Sequence, residues 1–548
     1  ADAGSDLVAT VLDLDATVGI GDGATLEVTT TSIAADTTNN NIDLLNQNPG
    51  VAVTATSLTT GTGTIDFVQT GNEALTVTLA QTTDGTITIQ NTGDADADAL
   101  TLTSVTAGGT GEVNATTLTA GDVLVGSATA DANTVTITSA GAINDAAADS
   151  TIDITVGTGT IDLNAVDGIG NTAALELAGT SISSDTSAGA IDLDNGLATD
   201  VTVTSLTTVG STITFDQSGG GNVSFDGTVS SGNAGTAGDD ILLSAANGDL
   251  TINAAVESRS ADVTATSTEN IVVTAPGSIT SVGGNVVLNS DTDTATSSGG
   301  GIRVLGTVNS TGGNITLGGG ADPATTNTVA TTTSGNDGIQ IVGGTLDAGS
   351  GDISLRGSSA LDDGVGIQNG ATIQTTSGTI SLNGTSTTVS GNDGVEITGI
   401  GTTVTSATGS ISVTGVGFSG DGVDVSSAAV VASTDTATII IGGTSTAADQ
   451  AGVRLQDTNT QITSVDGDIS ITGTNNSNLG AFVTSGVEIS STGTGASAAT
   501  ITITGTGDAG IDLDTADTLV TAVDGEILLD GNANTLEGIL IADATISS

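Results

Sequence analysis

The stretch GNDGVEITGIGTTVTSATGSISVTG, residues 391–415, contains three short aliphatic phrases, each closed by glycine or by a Gly/Thr/Ser turn. Within a phrase the apolar residues recur at every second position, as in Val395 and Ile397 or Ile411 and Val413. They therefore share one face of a strand, and Glu396 or Ser412 points the other way. Strands this short, apolar on one side only, are not stable as isolated hairpins. They need a neighbour on which to stack.

The chain supplies that neighbour by repeating itself. From residue 339 the phrase Gly-(Val/Ile)-x-(aliphatic) recurs, with its first apolar residue at Ile339, Val365, Val395, Val423, Val453, Val487, Ile511 and Ile539. Seven intervals cover these 200 residues, about 29 per repeat, within the range of solenoid proteins. A second phrase runs through Ile353/Leu355, Ile380/Leu382, Ile411/Val413, Ile439/Ile441, Ile469/Ile471, Ile501/Ile503 and Ile527/Leu529, each followed two residues later by glycine. A weaker third centres on Ile373, Val404, Ile462 and Val520. The pattern predicts an all-β fold, a parallel β-helix with three short strands per coil, in which each aliphatic lands on its counterpart about 4.8 Å away. The general crossover preference makes it right-handed. The recurrent glycines are expected at corners that need positive φ.

Composition agrees with a thin, regular interior. There are five Phe and no Trp, Tyr, Met, Cys, His or Lys, so the core is made of small and branched aliphatics. Abundant β-branched residues and only three prolines oppose disorder and favour ladders. The net charge of −58 comes less from its 62 acids than from the lack of bases, which are Arg259, Arg303, Arg356 and Arg454 alone. Such a chain is not expected to bind nucleic acid or to insert into membranes; cations and basic surfaces are its natural partners.

Residues 1–300 carry the same alternation (LTVTLA at 75–80, VTVTSL at 201–206) with less even spacing and insertions such as GDADADA at 93–99. They read as irregular coils of the same continuous solenoid, and residues 301–548 as regular coils of about 28 residues.

The segment GDLTINAAVESRSADVTATSTENIVVTAPGSITSVGGNVVL, residues 248–288, resembles the repeats of filamentous-haemagglutinin-type bacterial exoproteins and related large surface adhesins. That resemblance implies a secreted or surface-held protein acting in structure or adhesion.

Little in the sequence suggests catalysis. Without His, Cys or Lys there is no Ser-His-Asp or Cys-His system, no ordinary zinc site and no Schiff base. GVGFSG at 415–420 matches a phosphate-loop spacing but joins two strands, so it reads as a turn. An enzyme is not expected. The candidate site is a column of aspartates just before the first-phrase glycine: Asp337, Asp363, Asp393 and Asp421. Turn chemistry explains such residues locally. The sharper alternative is a carboxylate column for a cation, and Ca2+, with its six to eight oxygen ligands, suits it. The outward residues of the same strands form a second column, in which Arg454 is expected between Asp424 and Glu488. The function expected is that of an extracellular structural protein assembling head to tail with copies of itself, or else an adhesin stalk binding a surface or glycan.

Overall fold

The structure, a computed structural model, describes residues 4–47, 50–93, 95, 97–131, 133–233, 235–293, 299–330, 337–387, 391–495 and 498–548. The chain is a parallel β-solenoid of about 19 turns and contains no helix among the described residues. It divides into two compact units, Ala1–Asn247 and Gly248–Ser548.

In the second unit a regular coil uses three strands, for example Val395–Thr398, Thr403–Ser406 and Ile411–Gly417. The first two belong to one parallel sheet and the third to the other. Register is kept from coil to coil. Ile353, Ile380, Ile411, Ile439, Ile469, Ile501 and Ile527 are successive ladder partners. All but the last are fully buried. Each such side chain contributes roughly 1.5–3 kcal/mol through burial, and a slip by one residue would turn the whole column outward.

Two sequence expectations are corrected here. The first concerns the glycines. Gly338, Gly364, Gly394, Gly422 and Gly452 lie outside the positive-φ region, as do Gly415 and Gly443. Their role is close approach of backbones, because a Cβ on Gly394 would come within 2.2 Å of the Val416 nitrogen and one on Gly443 within 1.9 Å of the Gly452 oxygen. The second concerns one coil. Gly486-Val487 is not the first phrase; Leu479–Val483 is, with Ala481 paired to Val453 and then to Ile511. Alanine and Phe482 in that strand hid the pattern, while Gly486, at φ +83°, sits at a turn just before the second strand of the coil, Glu488–Ser491.

The first unit is more regular than its spacing suggests. Ile42, Ile65, Ile87, Val113, Val135, Ile161 and Ile182 form one unbroken column of ladder partners, 21 to 26 residues apart. Its coils are simply shorter. The insertion at 93–99 falls between the strands Ile87–Asn91 and Leu100–Leu102, with residues 94 and 96 outside the described set. Phe67, Phe215 and Phe225 are buried, the last two edge to face at 5.7 Å.

This unit also contains a duplication. LEVTTTSIAADT (26–37) returns as LELAGTSISSDT (175–186), and VTATSLTTG (53–61) as VTVTSLTTV (201–209). The structural details return with the sequence. Gly19 and Gly21 have φ of 119° and 73°, and Gly168 and Gly170 have 120° and 72°. A ladder register shift follows Ile33 in one copy and Ile182 in the other. The two copies nevertheless occupy opposite sheets: Ser32–Thr37 lies in one sheet and Ser181–Thr186 in the other.

Candidate functional site: the aspartate column

The four predicted aspartates do come together. Each occupies the residue before its glycine, and successive coils place them one above the next. The Asp363 N–H donates to Asp337 Oδ1 at 3.2 Å, Asp393 N–H to Asp363 Oδ1 at 2.6 Å, and Asp421 N–H to Asp393 Oδ1 at 2.6 Å. The backbone runs in step, with Gly338, Gly364 and Gly394 N–H donating to the carbonyls of Asp363, Asp393 and Asp421, each at 3.0 Å. These carboxylates thus bond to the next coil and not to their own turn. A side-chain ladder reinforces the main-chain one.

Three further acids, which the sequence reading did not assign to the site, converge on it. Asp362 precedes Asp363 in the chain. Glu396 and Asp424 lie on the outer face of the first strands of their coils, Glu396 as the ladder partner of Gly366 and Asp424 as that of Glu396. Two sets form: Asp337 with Asp362 and Asp363, and Asp393 with Glu396 and Asp424, each with carboxylate oxygens within 4.8 Å of one another. The signal was available in the register. An aspartate two residues before the first apolar position meets the outward residue of the following coil.

Asp337, Asp363, Asp421 and Asp424 are buried. Burial is the main cause of the upward pKa shifts here, and like charges add to it. Asp337 is pushed up to about 8, Asp363 to about 6, Asp393 to about 9, Glu396 to about 8 and Asp424 to about 7. Such a column is uncomfortable when fully ionised. It requires protons or positive charge.

At its upper end the protein supplies positive charge itself. Arg454 Nε donates to Asp421 Oδ2 at 2.5 Å and its Nη2 to Asp421 Oδ1 at 3.2 Å. The other face of the guanidinium lies 5.3 Å from the Phe482 ring centre. Phe482, not Glu488, is the ladder partner of Arg454; Glu488 pairs with Gln461 in the second strand of the coil. The expected ladder therefore holds on its Asp424 side, since Asp424 and Arg454 are ladder partners, but Phe482 stands in place of Glu488 and the guanidinium's hydrogen bonds go to Asp421.

A separate carboxyl cluster lies in the first unit, where Asp145, Asp153 and Glu176 come together, the two aspartates buried. The GVGFSG stretch is part strand and part turn, with no helix to hold a phosphate. No family model matches the chain, and neither a curated protein nor a solved structure is significantly similar to it.

Proposed function

We propose that this chain is an extracellular structural protein, a β-solenoid that associates end to end with copies of itself into a surface or extracellular filament. This is the role implied by its resemblance to filamentous-haemagglutinin-type exoproteins. The supporting observation is the parallel ladder itself, in which the aliphatic column of each coil is continued by the next coil in register. Ile539 and Ile541 are 39% and 48% exposed, whereas their ladder partners Ile511 and Leu513 are fully buried. In the first unit Leu7 is likewise 37% exposed beside a buried ladder partner, Val28. A parallel ladder offers unpaired N–H and C=O groups along such an edge, and a second chain presenting strands in the same register completes both the bonds and the core. Such a contact is heterologous, so it propagates rather than closes.

Electron microscopy of the purified chain tests the reading. Fibres are expected, and the Ile539→Asp/Ile541→Asp variant is expected to remain as single particles. Single particles from the unaltered chain at high concentration would overturn it.

A further inference from the structure

We propose that Asp337, Asp362 and Asp363 form a binding site for a hard divalent cation of the Ca2+ class, beside Gly366, against which the Asp337 carboxylate packs. The three carboxylates present oxygens within 4.8 Å of one another. Asp337 is only 2% exposed, and its Oδ2 is a buried oxygen that receives no hydrogen bond. An ionised oxygen without donor or counter-charge at that depth is costly. That oxygen is aimed at Gly366, where a Cβ would lie 2.0 Å from it.

Three coils along, the same ladder shows what belongs there. Asp337 and Asp421 are equivalent positions, and so are Gly366 and Arg454, each the outward residue of the next coil's first strand. Above Asp421 that position sends a guanidinium onto the carboxylate. Above Asp337 it sends no side chain. A free cation fills the place that Arg454 fills from within the chain. Three carboxylates supply three to six oxygens, and Asp362, only half-buried, leaves a side open for water to complete a shell of about six to eight.

The test uses the full chain, freed of metal with chelator and titrated at neutral pH with Ca2+, and separately with Eu3+. Wild type is expected to show a tight class of Ca2+ uptake above the weak background of its surface acids, together with a rise in melting temperature. Europium at this site should show an excited-state lifetime lengthened by loss of inner-sphere water. Asp337→Asn/Asp362→Asn should lose the tight class and keep the background. Gly366→Arg supplies the missing charge internally; it should melt in chelator about as high as wild type does in Ca2+, and respond to Ca2+ no further. Absence of a tight class in wild type, or an undiminished Ca2+ response in folded Gly366→Arg, would overturn the proposal. If the asparagine variant fails to fold, a europium ion in wild type that keeps a full water shell overturns it equally. None of these readings depends on fibre formation, so failure here leaves the filament proposal standing, and the reverse.

Discussion

Gly415 faces Gly422 across the interior so closely that a Cβ on Gly415 would sit 1.8 Å from the Gly422 carbonyl oxygen. The pair is repeated in the neighbouring coils by Gly384 with Gly394 and Gly443 with Gly452, each at 1.9 Å. Together they make a seam at which the third strand of one coil meets the first strand of the next, backbone on backbone. The seam explains why the glycine columns are so strict although none of these residues needs positive φ.

Adjacent residues give a clean test of that explanation. Gly443→Ala is expected to destabilise the second unit by about 2–4 kcal/mol, since the methyl meets main chain that cannot step aside. Gly442, its neighbour, has open space around its Cα and ordinary φ. Its ladder partners are Thr414 and Thr472. Gly442→Thr should therefore be neutral or stabilising by up to about 1 kcal/mol. Urea midpoints of the two variants decide the matter, and similar losses in both would remove the seam.

The Asp421–Arg454 pair is expected to matter more than an ordinary surface ion pair, because Asp421 is buried and Phe482 covers the guanidinium. Arg454→Met should cost about 2–3 kcal/mol by leaving a buried carboxylate without its partner. Asp421→Asn in the same chain should recover much of that loss, since the amide oxygen still accepts the Ala451 N–H. Chemical denaturation of the two single variants and the double variant measures the coupling. Additive losses would mean that the pair is a bystander.

The period-two phrases and their even return made the solenoid legible, because a strand face that is apolar every second residue dictates both what is buried and what it stacks on. Val395 over Ile367's coil, and Ile411 over Ile380, follow from spacing alone. Three features were not legible in that way. Ala481 and Phe482 broke the aliphatic pattern while keeping the strand, since a ladder tolerates any side chain its space admits. The contact of Asp363 with Asp337 was foreseen, but that of Asp362 was not, because it depends on how the turn before Gly364 folds. The duplication in the first unit has a period far longer than a coil, so it leaves no mark on the coil-to-coil spacing.

The carboxyl cluster of the first unit should make stability depend on pH in an unusual direction. Burial pushes Asp153 up to about 8 against an ordinary 3.8, and it also raises Glu176, with Asp145 and Asp194 adding like charge. Asp145 itself accepts the Ala147 and Asp149 N–H groups. A carboxyl whose folded pKa is raised holds its proton more tightly when folded. Its contribution is complete below about pH 4 and is lost as pH rises toward 8. For this buried carboxyl the loss is on the order of a few kcal/mol. Asp153→Asn keeps an acceptor for the Glu176 N–H, bonded at 3.2 Å, without the charge. The aspartate column of the second unit titrates in the same direction, so the informative quantity is the difference between wild type and variant. Asp153→Asn should be the more stable of the two at pH 8.5 and about equal at pH 4; parallel curves would contradict this.

The duplication predicts that two buried asparagines carry equal loads. Asn46 Oδ1 accepts the Thr30 N–H at 3.0 Å, while its Nδ2 donates to the Thr30 carbonyl at 3.0 Å and to Gln69 Oε1 at 2.8 Å. Asn195 repeats every bond, with the Gly179 N–H and carbonyl at 3.0 and 3.2 Å and Gln217 Oε1 at 2.7 Å. All four amides are fully buried. Each asparagine supplies hydrogen bonds to the main chain of a buried corner, the kind of group that is costly to leave less satisfied. Asn46→Ala and Asn195→Ala are each expected to cost about 2–4 kcal/mol, the sum of lost bonds and of the donors and acceptors left behind. The two sites share no partner, so the double variant should lose the sum of the single losses to within about 0.5 kcal/mol. Unequal single losses would mean that the surroundings, different because the copies lie on opposite sheets, outweigh the network they share. Hydrogen exchange at the Thr30 and Gly179 amides gives the local reading, since each should lose protection only when its own asparagine is replaced.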